Sequence, residues 1–262
     1  MELTEEMFIK KKIMKKKIDY QKEQEKMFQQ INQMKPLFQN KQIISLGFNC
    51  YVKIMLQKMN IDQETHFFDW IGSSTKYILQ LLENGFDSIL QKNNFQYLQT
   101  IQKEDGYVWT DNKYYLRFLH DFTQTYKKNT QQITDQQFQE TYDKYKRRQK
   151  RFFETLQECE LKQKTLLFIR IEEDQKDRIQ TNNSDEISDL LQISSWIQKK
   201  HQNLSFYILL ISRNSESCYQ HPDDSHLVIL SLKNKTEKTI YSVPTMIDIL
   251  FQNKDFLKSS LL

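Results

Sequence analysis

Residues 42–59 read QIISLGFNCYVKIMLQKM, and the change of rhythm inside that stretch decides the fold. QIISLG is a short apolar run that stops at Gly47, as a buried strand would. NCYVKIMLQKM then sets Val52, Ile54, Met55 and Met59 on or near one face of a helix. Cys50 stands at the junction, with two readings open: a nucleophile at the start of a helix, or a small apolar residue filling a strand-to-helix turn.

The same alternation continues downstream. Helices are expected over 75–83 and 86–91, where SSTKYILQLLENG supplies Ser/Thr caps and Gly85 as a stop. The aromatic-rich region 95–119 contains KEDGYVW, a turn followed by a strand signal, and predicts a β-hairpin. Over 134–160, Phe138, Tyr142, Tyr145, Phe152, Phe153 and Leu156 stand against many charges, the pattern of an amphipathic helix. TLLFIRI reads as a strand, SDEISDLLQISSWIQKK as a helix, LSFYILLI and HLVILSL as strands, and a last helix falls near 244–251. Apolar strands alternating with helices define an α/β class: one domain over 41–262 with a mostly parallel central sheet covered on both faces.

Residues 1–40 precede it as a basic, amphipathic helical extension. Phe8, Ile13, Met14, Ile18, Met27, Phe28, Ile31 and Met34 recur there at roughly helical intervals. Nine lysines meet six carboxylates, a balance of +3 that accounts for most of the chain's +4. KKKIMKKK is read either as a solvated face or as a nuclear signal, a binder of anionic surfaces or an arm for a protein partner.

Composition excludes several classes. A chain of 262 residues, 38% hydrophobic, can bury a sizeable core. A charge of +4 is weak for a nucleic-acid protein of this size. The longest purely apolar run, FYILLI at 206–211, is far short of the roughly 20 residues that cross a bilayer. The opening MELTEEMFIK carries acids where a leader would be basic, which predicts an intracellular, cytoplasmic protein. Three widely separated cysteines, Cys50, Cys159 and Cys218, form neither a disulfide framework nor a metal-spaced pair. His221 and His226 in HPDDSH lack ligands at zinc spacing, so no metal and no cofactor is expected.

In an open α/β sheet, function gathers beyond the C-terminal ends of the strands, which is where Cys50 falls. Backbone N–H groups at a helix start favour a thiolate, the form in which cysteine attacks. Against this stands the burial common among free cysteines.

SLGFNC at 45–50, FFDW at 67–70 and HDF at 120–122 together resemble the bacterial and eukaryotic family described as putative papain-like cysteine peptidases. Its pattern runs Ser-Leu-Gly-x-x-Cys, then Pro-Phe-Asp-Trp, then His-Asp-Phe. YKRRQKRF at 145–152 and LLFIR at 166–170 fall where that family carries an arginine-rich helix and a strand ending in arginine. The resemblance covers about residues 43–230, with Phe67 standing where the family has proline.

The resemblance implies that Cys50 is the nucleophile and that His120 takes its proton and returns it to the leaving group. Asp69 is the better carboxylate to orient the imidazole, since Asp121 adjoins His120 and on a strand would point to the opposite face. The Cys50 N–H with Asn49 nearby would form an oxyanion hole. Arg170 would grip a substrate carboxylate or phosphate, and Trp70 is either core or a substrate platform. The remaining histidines are expected at the surface. Papain-like enzymes set the histidine on an antiparallel sheet, whereas the last third of this chain reads as parallel α/β, and the periodicity governs the fold expected.

Two functions follow. One is a thiol hydrolase or acyl transferase acting on an amide, peptide or thioester. The other is an inactive member serving as an assembly subunit, docked on a protein partner by residues 1–40.

Overall fold

The computed structural model describes residues 5–261 except 62–63, 87–88, 100–106, 112, 119, 123–132, 173–184 and 233–241. Five strands form the main sheet: β1 (Gln42–Ser45), β5 (Leu166–Ile171), β6 (Phe206–Ser212), β8 (Asp224–Ser231) and β7 (Tyr219–His221), in that spatial order. Every neighbouring pair is parallel except β7 with β8. A second, antiparallel sheet joins β2 (Phe95–Gln99), β3 (Tyr107–Asp111) and β4 (Arg117–Phe118). The expected hairpin is therefore present and carries a third strand.

The strands bury both faces because both sets of alternate residues are apolar. Ile44, Phe168, Ile208, Leu210 and Ile229 join one core with the helices α3 (Thr75–Glu83), α4 (Asp135–Leu161) and α5 (Glu186–Lys200). Ile43, Leu167, Ile169, Leu209, Ile211 and Val228 join the other with α2 (Tyr51–Lys58), α6 (Val243–Gln252) and α7 (Lys254–Ser260). Thr134 opens α4 with a capping box, accepting from Gln137 N while Gln137 reaches back to the Thr134 N–H.

Three expectations change. Among the described residues of the helix expected over 86–91, Phe86 lies in a turn and 89–91 are irregular, while 87–88 lie outside the described residues. Gly85 (φ 64°) and Phe86 (φ 63°) turn left-handed, and Phe86 N bonds back to Leu81 O, a Schellman closure that ends α3. Phe86 is thereby driven into the core instead of continuing a helix. β7 and α7 had no distinct periodic signal, being only 3 and 7 residues long.

The third concerns α1 (Glu5–Phe38), one helix with two environments. Ile31, Met34 and Phe38 are buried in the core formed with α6 and α7, and Gln30 Nε2 donates to Asp248 Oδ1 at 2.9 Å. Its last turns are thus part of the domain, whereas Lys12 to Glu23 are exposed. Among the described residues no helix is long and apolar enough to cross a membrane.

Candidate active site

The site begins where β1 ends. Gly47 (φ 79°) and Phe48 (φ 74°) both adopt left-handed backbone. A Cβ on Gly47 would lie 2.1 Å from Ser73 Oγ, so only glycine fits. Ser45 Oγ accepts from the Gly47 N–H at 3.0 Å. A phenylalanine at positive φ must be held by its surroundings. The Phe48 ring is buried, and the guanidinium carbons of Arg117 and Arg170 each lie 5.8 Å from its centroid.

Arg170 is fully buried. Its Nε pairs with Glu186 Oε1 at 2.5 Å, and its Nη1 donates to the carbonyls of Leu46 (3.0 Å) and Ser73 (2.8 Å). The expected grip on a substrate anion is therefore replaced by an internal one: the carboxylate that Arg170 binds is Glu186, and the side chain braces the turn before Cys50.

Cys50 caps α2 with helical backbone (φ −76°, ψ −5°), and its carbonyl accepts from the Ile54 N–H at 3.0 Å. It is half-buried. Asn49 Oδ1 accepts from the Tyr51 N–H at 2.9 Å, so Asn49 satisfies one of the helix's open donors. Burial raises the Tyr51 phenol pKa, with the neighbouring Cys50 a lesser cause.

The second segment is the turn at 66–70. Asp69 Oδ2 accepts from the His66 N–H at 2.7 Å and lies 3.3 Å from Lys53 Nζ, both side chains being buried. Lys53 Nζ also donates to Glu64 O at 2.7 Å. Phe67, in the place of a proline, packs on Phe68, Phe86 and Tyr145 at centroid distances of 5.0, 4.8 and 5.4 Å. Its ring anchors the turn through aromatic edge contacts. Trp70, half-buried, meets the His120 ring edge-on at 5.2 Å and 84°.

The third segment follows the antiparallel ribbon. Gly72 and Arg117 exchange both backbone hydrogen bonds at 2.8 Å, which fixes the end of β4 beside the turn at 66–72. His120 lies three residues beyond Arg117 and is exposed. Asp121 is buried and faces α4, accepting from Tyr145 Oη at 2.8 Å and pairing with Lys144 Nζ. Burial, and next Asp121, push the Tyr145 phenol well above its ordinary pKa.

All three sequence motifs thus meet at one end of the sheet. Phe48 touches Arg117, Gly72 approaches the Phe48 carbonyl, and Trp70 touches His120. Sequence reasoning overlooked Lys53, Arg117 and Ser73, which hold this junction. Lys53 could have been noticed as a lone charge between Val52 and Met55 on the inner side of α2.

The expectation of surface histidines fails at His66, which is 1% exposed, with neither ring nitrogen hydrogen-bonded among the described residues. Burial, then the charges of Lys53 and Arg151, lower its pKa to about 4. His201 and His226 are half-buried against Glu160 (2.9 Å) and Asp224 (2.8 Å).

Fold and junction together define an α/β domain with a thiol at the first strand-to-helix turn and a histidine after an antiparallel ribbon. The chain belongs to the family described as "Putative papain-like cysteine peptidase", whose model matches residues 41–216. An uncharacterized protein of Acanthamoeba polyphaga mimivirus is 29% identical over 164 residues, covering 56% of this chain and 69% of that protein. No solved structure matches.

Proposed function

We propose that this domain is a thiol hydrolase or acyl transferase in which Cys50 attacks the carbonyl carbon of an amide, peptide or thioester. His120 takes the thiol proton and passes it to the leaving group as the acyl-thioester forms. Water, or an acceptor amine, then attacks that thioester, and the Cys50 thiol is regenerated. Asn49, whose Oδ1 is occupied by the Tyr51 N–H, offers its Nδ2 hydrogens and the adjacent Cys50 N–H to the oxyanion. Asp69 acts by building the turn that sets Trp70 against His120.

The observation that carries this reading is the meeting of the Cys50 turn, Trp70 and the His120 segment through Phe48, Arg117 and Gly72. Family membership supports a cysteine-peptidase-like function. The test is alkylation of the folded protein by iodoacetamide at pH 6, read by mass spectrometry at each cysteine. Cys50 should outpace Cys159, whose thiol burial raises in pKa, and also Cys218, with His120→Ala slowing Cys50 alone. Equal rates at all three would overturn the reading.

A non-catalytic subunit is the competing function. It is favoured by the engagement of both carboxylates, Asp69 with Lys53 and Asp121 with Lys144 and Tyr145. Equal alkylation rates would select it.

A further inference from the structure

Within α1, residues 12–23 take no part in the core: every residue from Lys12 to Glu23 is exposed. Ile13 (62%), Met14 (66%), Ile18 (41%), Tyr20 (61%) and Phe28 (61%) are open to solvent, and among the described residues only Leu161 is another large apolar side chain so exposed. Such concentration marks a contact surface.

The geometry of these side chains says more. On a wheel advancing about 100° per residue, all five fall within one arc of about 160°. Lys12, Lys15, Lys16 and Lys22 lie opposite, and Lys17 lies within the arc. Met27, Ile31, Met34 and Phe38, which pack on the domain, centre about 90° from the middle of that arc, in line with Ile13 and Tyr20 at its edge. The exposed stripe therefore continues the domain-packing face at Ile13 and Tyr20 and widens beyond it at Met14, Ile18 and Phe28. It is also wider than the seam of a coiled coil, which uses two positions in seven.

Charge chooses the occupant. Residues 10–22 hold seven lysines against Asp19, a balance of +6, while the whole chain is +4, so the remainder sums to −2. A second copy of the arm would meet like charge. A nucleic acid would engage the lysines but leave Ile13, Met14 and Ile18 in water. An anionic lipid surface satisfies both, taking the apolar stripe into the headgroup boundary while the lysines reach phosphates and carboxylates and Lys17 snorkels.

We propose that the projecting half of α1 is an interfacial anchor that lies on anionic membranes. Because the last turns of α1 are fixed in the core, and Lys26 Nζ lies 3.6 Å from Asp248 Oδ1, the anchor holds the domain in a set orientation. This inference is independent of the chemistry proposed for Cys50.

The test is co-sedimentation of the full chain with vesicles of phosphatidylcholine alone or enriched in phosphatidylserine, with and without a competing RNA duplex. Binding should require phosphatidylserine and weaken as salt rises. Replacing Lys12, Lys15, Lys16 and Lys17 by Gln should weaken it about fivefold per lysine. Ile13→Ser with Ile18→Ser keeps the charge and should weaken it at least tenfold, reflecting roughly the burial of an aliphatic side chain. Thermal melts check that these exposed substitutions leave the domain folded. No binding to phosphatidylserine vesicles would overturn the proposal, as would full binding by the serine variant or loss of vesicle binding to the RNA. A dimer in lipid-free solution that the serine variant abolishes would also overturn it, by assigning the stripe to a second copy.

Discussion

The turn after β1 and the projecting half of α1 treat charge in opposite ways. At the turn, Arg170, Glu186, Lys53 and Asp69 are taken out of water and paired. On the arm, lysines stay in water and apolar side chains are exposed beside them. Buried charge must be paired with good geometry or it destabilises the fold, so a region built from it is held in one arrangement. Exposed apolar surface has no such demand and waits for a partner. The contrast assigns rigidity to the Cys50 turn and contact to the arm.

The largest expected effect comes from breaking the rigid side. Arg170→Met strands Glu186 in the interior and should cost about 3–5 kcal/mol in a urea titration. Adding Glu186→Leu should recover much of that loss, because the uncompensated charge and not the missing attraction carries most of it. A single variant as stable as the parent would mean that Arg170 does not brace the turn.

Within α1 the two halves can be set against each other directly. Met34→Ala should cost roughly 2–5 kcal/mol, the range for a buried methionine, whereas Ile13→Ala should stay within about 0.5 kcal/mol. Equal losses would show that the arm folds back onto the domain.

His66 supplies the pH dependence. Its folded pKa of about 4 lies below the ordinary 6.5, so the folded chain refuses a proton that the unfolded chain accepts. Stability is therefore full above pH 6.5 and is lost as pH falls toward 4, by up to about 3 kcal/mol. His66→Gln should flatten the slope between pH 4 and 6.5 in melting experiments. An unchanged slope would assign the acid sensitivity to other groups.

What the sequence made legible follows from periodicity. The parallel strands β1, β5, β6 and β8 and the helices α4 and α5 are long enough, and apolar on the right residues, to announce themselves. Gly85 is the stop the sequence suggests, but the apolar residues after it were misread as a second helix, because nothing in their spacing shows that Phe86 completes a Schellman closure and turns into the core. The motif residues were found by type, yet the role of Arg170 was not, because an arginine that ends a strand looks the same whether it faces a ligand or a buried glutamate. Lys53 and Ser73 escaped for a related reason: their partners are a carboxylate and backbone carbonyls that only the tertiary fold brings near.

The smallest effect separates the two duties assigned to Asn49. Its Oδ1 accepts from the Tyr51 N–H, and losing such a cap costs about 1 kcal/mol. Asn49→Ala should lower stability by that amount. Asn49→Asp keeps the acceptor and favours a helix start, so stability should return to the parent value. The carboxylate has no N–H to offer an oxyanion, and losing one such donor costs about 10²–10³ in rate. The aspartate variant should therefore be stable yet slow to acylate Cys50 with a chromogenic thioester. If it is both stable and fast, Asn49 is a cap alone and the oxyanion must be met by the backbone; if it is unstable, the cap assignment itself is wrong.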